Sequence, residues 1–160
     1  MKKLYIEQEF FKIEDHYPIV DENGETVYFV DEDFKFFEKH LEITNVKTNE
    51  KILIDKQFPT LLPKFDITFP NGKVLTLKSE FSIFSKYITV LPEKEYITIE
   101  GNFFDYEFRV LKGEELIGYI EKEVFRLRDC FIINVINEEY EELFIAIMIA
   151  IDNIQDSQAN

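Results

Sequence analysis

The chain has few of the residues that usually announce chemistry. Cys130 is the one cysteine in 160 residues, so no intramolecular disulfide and no cysteine metal cluster can form. Only His16 and His40 are present as histidines, and neither has a nearby partner and nucleophile in sequence of the kind catalysis needs. Five glycines and five prolines leave the turns resting on few punctuating residues. Phosphate-binding loops, dinucleotide-binding glycine patterns and nucleophile elbows are missing, so no cofactor is implied. Basic charge is scarce: the formal net charge is −14, which excludes a bare nucleic-acid binder and disfavours long-range attraction to an anionic membrane. No apolar run approaches the roughly 20 residues that a bilayer span needs. Glu7 and Glu9 interrupt any secretory signal after Lys2 and Lys3. A soluble, cytoplasmic chain is expected.

What is abundant is aromatic and β-branched residue in short segments. Hydrophobic content is 46% and aromatics are 16%, with 17 Phe and 8 Tyr, a composition that favours strands and a sizeable single core. Asp21-Glu22-Asn23-Gly24, Pro70-Asn71-Gly72 and Lys112-Gly113-Glu114 each separate two such segments, as hairpin turns do. These hairpins end near Phe34, Phe81 and Phe125. Between them lie two further pairs, Leu41–Ile43 with Ile52–Ile54 and Tyr87–Val90 with Tyr96–Ile99, closed by Phe58 and Phe103. A four-strand unit therefore recurs about every 45 residues. With Leu4–Phe11 and Cys130–Val135 added, about twelve strands are expected, and regular short spacing points to a barrel or sandwich.

The strands end in a different kind of segment. Leu143 to Ile151 is nine residues without a polar one, closed by Glu142 and Asp152. Apolar on every side, it belongs inside something. Ala146 and Ala150 at i, i+4 favour helix, Asn137 suits an N-cap, the glutamates from Glu138 to Glu142 suit the positive helix end, and Asn153 suits a stop. A helix over about 138–153 would be roughly 22 Å long. Twelve strands enclose more space than their own side chains fill, and this helix is the filler. Its burial would contribute on the order of 10–20 kcal/mol before entropy is subtracted. One domain over 1–155 with a polar tail at 156–160 is expected.

In fold, the chain resembles the LURP-one-related group of the Tubby C-terminal-like superfamily. The residues that carry the resemblance are Leu4-Tyr5-Ile6-Glu7-Gln8, then Tyr17-Pro18-Ile19-Val20-Asp21-Glu22-Asn23-Gly24 leading into Val27-Tyr28-Phe29-Val30. Phe125-Arg126-Leu127-Arg128-Asp129 and Ala146-Ile147-Met148-Ile149-Ala150-Ile151-Asp152 complete it. The resemblance implies a mainly β fold, a twelve-stranded barrel around a central buried helix. Tubby-type relatives bind phosphoinositides through basic surface residues, and scramblase-type relatives are associated with membrane phospholipids and calcium. This chain has neither a cysteine-rich palmitoylation segment nor a matching phosphoinositide motif.

Candidate sites are sparse. Asp21-Glu22-Asn23-Gly24-Glu25 places glycine fourth rather than sixth, so it reads as a turn and not a calcium loop. The glutamates at 138, 139, 141 and 142 read as dipole-matched, so no metal site is expected. His16 and His40 read as turn residues. Cys130 reads as a buried small hydrophobe. Lys122, Arg126 and Arg128 would share one strand face if the strand is continuous, a row fit for a phosphate headgroup or an acidic partner, or for pairing with carboxylates across strands. The leading expectation is a non-catalytic domain that recognises phospholipid or a protein partner on the barrel exterior. An enzyme with a site at a barrel rim and an interaction scaffold are the alternatives.

Overall fold

A computed structural model describes residues 1–7, 9, 15–35, 38–81, 86–102, 106–124 and 129–159. Twelve strands follow one another: β1 (Lys2–Glu7), β2 (His16–Val20), β3 (Thr26–Lys35), β4 (Glu38–Asn45), β5 (Lys51–Lys56), β6 (Lys64–Thr68), β7 (Val74–Phe81), β8 (Lys86–Leu91), β9 (Ile97–Asn102), β10 (Glu107–Lys112), β11 (Glu115–Val124) and β12 (Asp129–Val135). They are followed by a long helix, α1 (Glu141–Ala159). Every ladder is antiparallel, in the order β8-β7-β6-β5-β4-β3-β2-β1-β12-β11-β10-β9. The sheet is a nearly closed barrel, with β8 and β9 facing each other at its two ends.

Alternation does the sorting. Leu4 and Ile6, Tyr17 and Ile19, Leu41 and Ile43, Ile52 and Ile54, Phe65 and Ile67, and Leu75 and Leu77 all point inward and are buried. Outward positions carry charge, among them Lys3, Glu42, Asp55, Asp66 and Glu100, the reverse of the apolar outer band of a lipid-embedded barrel. The expected turns hold: Gly24, Gly72 and Gly113 all adopt positive φ. Asp21 organises the first of them, its side chain accepting from the amides of Asn23 at 2.8 Å and Glu25 at 3.0 Å.

The helix fills the lumen. Phe144, Ile145, Ile147, Ile149 and Ile151 are fully buried and belong to one cluster with the inward strand residues. Gly118 on β11 is the contact that lets it in: a Cβ there would lie 2.6 Å from the Phe144 ring. Leu143 is only partly buried, at the mouth. Two details differ from the sequence reading. Asn137 caps a short 3-10 turn over Glu138–Tyr140, accepting from the Glu139 amide at 3.1 Å, and α1 follows that turn. Asn153 does not stop the helix, which runs on to Ala159: its amide donates to the Ile149 carbonyl at 2.8 Å, one turn back, so the backbone continues beneath it.

Candidate functional site

Antiparallel succession puts the connections on two rims in turn. The helix starts at the rim where β12 ends, and several side chains tie it there. Lys2 pairs with Glu141 at 2.7 Å, and Asn45 donates to Glu142 at 3.2 Å. Burial first, then the charges of Glu141 and Glu142, keep the Tyr28 hydroxyl protonated far above its ordinary range. A cleft of about 460 Å³ lies beside this rim, where the Lys112 ammonium sits 4.7 Å over the Tyr140 ring. At the far rim the helix is held differently. Tyr106, in left-handed backbone at φ 55°, donates to the buried Asp152 carboxylate at 2.6 Å and packs on Phe131 at 4.5 Å between ring centroids.

With the helix in the lumen, the clefts among the described residues lie on the wall and at the rims. An opening of about 710 Å³ in the wall lies between β10 and β11. Its cause is a ladder that stops early. The strands pair from Lys112↔Glu115 to Arg109↔Tyr119, with a bulge at Val110/Leu111, and no further. Beyond that point β10 stays with β9 to Glu107↔Asn102, whereas β11 stays with β12 to Val124↔Asp129. The wall parts, and Phe108 and Ile120 form an apolar floor between Glu100, Arg109, Glu121 and Lys122.

Of the three predicted basic residues, the described part contains only Lys122. Arg126 and Arg128 lie outside the described residues. Lys122 also sits on the other side of the wall from the one its exterior role requires. It shares the parity of Gly118 and Ile120, which face the helix, and it reaches solvent because β10 has left β11. Lys122 makes no ion pair with a described residue. Arg109 is committed to Glu100, through Nε at 2.9 Å and Nη2 at 2.7 Å. Sequence reasoning missed Phe108, Arg109 and Glu100, because the opening arises from where a ladder ends and no local motif marks that.

The histidines are not turn residues. His16 opens β2, stacked 4.8 Å from Phe29 and paired with Asp31; His40 lies in β4, with Nδ1 2.5 Å from Asp55 and Nε2 3.4 Å from Glu42. Both are outward positions directly across from their aspartates. Hydrogen bonding to Asp55, opposed by partial burial and aided by Glu42, raises the His40 pKa above its ordinary value. Neither histidine lines a cleft with a nucleophile. Cys130 is half-buried rather than buried: Phe131 takes the inward position, leaving the thiol outward beside a hollow of about 290 Å³. In the far-rim connection between β5 and β6, Phe58 is 64% exposed and Leu61 wholly so, with Lys56 and Lys64 on either side.

Comparison with known proteins places this geometry. A family model described as LURP-one-related matches residues 2–152. The chain is similar to the uncharacterized protein YxjI of Bacillus subtilis (strain 168), 23% identical over 154 residues, covering 96% of this chain and 94% of that protein. It is also similar in fold to an X-ray structure of a protein from Arabidopsis thaliana, at a TM-score of 0.64 and 11% identity, over 96% of this chain and 91% of that one. Among the described residues, no helix is long and apolar enough to cross a membrane.

Proposed function

The chain belongs to the LURP-one-related family, and we propose that it is a non-catalytic binding domain that recognises a protein partner on its outer wall and far rim. The observation that carries this reading is the helix in the lumen. Phe144 to Ile151 occupy the lumen, fully buried or nearly so, which favours a partner met from outside. The wall opening supplies what a protein contact uses: an apolar floor at Phe108 and Ile120, ringed by groups of both signs. Three carboxylates, from Glu100, Glu107 and Glu121, stand there against Arg109 and Lys122. Arg109 is already neutralised by Glu100. That balance, with the chain's net charge of −14, supports a protein surface over an anionic headgroup.

A second reading, a phospholipid surface, has its own observation. Phe58 and Leu61 stand exposed between Lys56 and Lys64 on the far rim, the arrangement of an apolar tip with basic flanks. One experiment separates the two. A photocrosslinking residue is placed at Tyr119, at Leu61 and, as control, at Thr44 on the opposite wall, and adducts are collected in cells. Protein adducts at Tyr119 that are absent at Thr44 are expected. Lipid adducts at Leu61, with salt-sensitive flotation on anionic vesicles lost in Leu61→Ser, would favour the second reading. Equal labelling at all three positions would remove both.

A further inference from the structure

In a sheet of twelve strands, β8 and β9 are the neighbours without a ladder. They are joined by a tight turn, Pro92 to Tyr96, and each is six residues long. Their facing edges therefore present backbone N–H and C=O groups that no described strand pairs, the condition under which an added strand binds. The core is open at the same place. Inward residues elsewhere are sealed, as Leu41, Ile54, Phe65 and Leu75 show at 0% exposure. Along the seam, Ile88, Ile97 and Ile99 are only partly buried, and Gly101, on the same inward side as Ile97 and Ile99, is exposed. Missing hydrogen bonds and missing apolar cover coincide.

We infer that the seam between β8 and β9 accepts an extended segment of a basic protein partner as an additional strand, with apolar side chains inward and basic ones outward. The backbone edges require an extended chain. Ile88, Ile97 and Ile99 require apolar residues at alternate positions. The outward positions of β9 are Thr98, Asn102 and Glu100, the last paired with Arg109, so it is the net charge of −14 over the whole molecule that repels a second copy and attracts a basic segment. The inference rests on the protein-binding reading but not on the opening between β10 and β11, which lies at the other edge of the β9–β10 ribbon.

Amide exchange on the purified full chain tests it without involving that opening. The probe is an end-blocked six-residue peptide of alternating valine and lysine. Its controls are the same composition in two blocks and an alternating valine–glutamate peptide. In the free protein, amides of 87–90 and 97–99 that face the seam should exchange faster than those of β4 and β5. The alternating basic peptide should slow them by at least about tenfold, and the controls should not. Thr98→Lys should weaken that peptide about two- to five-fold. Protection of the free seam equal to that of β4 and β5 would overturn the proposal, because the barrel would then be closed. Equal effects of all three peptides would overturn it as well, as would protection that rises with protein concentration alongside dimer formation in light scattering. Adducts absent at Tyr119 but seam protection present would remove the wall opening as a site and leave the seam.

Discussion

Two sectors of one wall are built from the same alternating sequence, and only one of them is sealed. From β3 to β7 each strand is laddered to both neighbours, and inward residues such as Val30, Ile43, Ile54 and Leu77 have no exposure at all. The β9–β10 ribbon is internally paired over six positions, yet it meets β11 over four and β8 over none. Its inward residues Phe108 and Val110 are buried, whereas Ile97 and Ile99 are only half covered. Cover thins along the edge that faces β8, because a strand without a laddered neighbour there also lacks that neighbour's side chains over its own. Stability therefore resides in the laddered sector and its helix, and the proposed recognition is assigned to the sector that can still accept contacts.

The largest effect should come from the element that both sectors share. Ile147→Asp places an unpaired charge at the lumen centre and should abolish folding, a loss above about 4 kcal/mol; circular dichroism and a thermal melt would show it, and an unchanged melt would remove the buried helix. Truncation reads the difference between sectors directly. Ile54→Ala should cost about 2–5 kcal/mol by denaturant unfolding, and Ile99→Ala about 1 kcal/mol or less. Equal costs would mean that the ribbon is sealed like the rest. Tyr106→Phe takes a donor from the buried Asp152 and should cost about 1–3 kcal/mol, with faster amide exchange in β10 and no change in β4. A change spread evenly over the barrel would deny the ribbon its separate attachment.

The smallest effect belongs to His40. Its pKa is raised in the folded state, mainly by the hydrogen bond to Asp55. Its stabilisation is therefore fully present below the unfolded value and lost as pH rises through the folded one. The pair is half-exposed, so after screening by solvent the difference between wild type and His40→Ala should shrink by well under 1 kcal/mol from pH 6 to pH 8. A difference that grows over that range would reverse the assignment.

Sequence carried the barrel because alternation and Asn-Gly turns are local signals, and it carried the helix because an uninterrupted apolar run has few places to go. Helix length was less legible. Asn153 resembles a stop in sequence, and only the tertiary environment shows its amide folded back onto Ile149. The histidines looked like turn residues because His40 precedes an apolar segment beside Lys39 and His16 precedes Tyr17-Pro18, yet their aspartate partners are fifteen residues away across a hairpin. Cys130 follows the parity of its strand, which was not fixed until Phe131 was seen to face inward. The wall opening and the seam were invisible for a common reason: both are places where ladders end, and a ladder's end depends on the twist and register of two strands together.

The central claim is that α1 packs against the inner wall so closely that no ligand space remains. A double-mutant cycle between Gly118 and Phe144 tests it most directly. Gly118→Ala pushes a methyl group toward the Phe144 ring and should cost about 1–3 kcal/mol. In a Phe144→Leu background, which removes ring carbons, the same substitution should cost at least about 1 kcal/mol less, a coupling expected only of residues in contact. Strict additivity of the two substitutions in denaturant unfolding would contradict the account, because the helix would then not lie against β11.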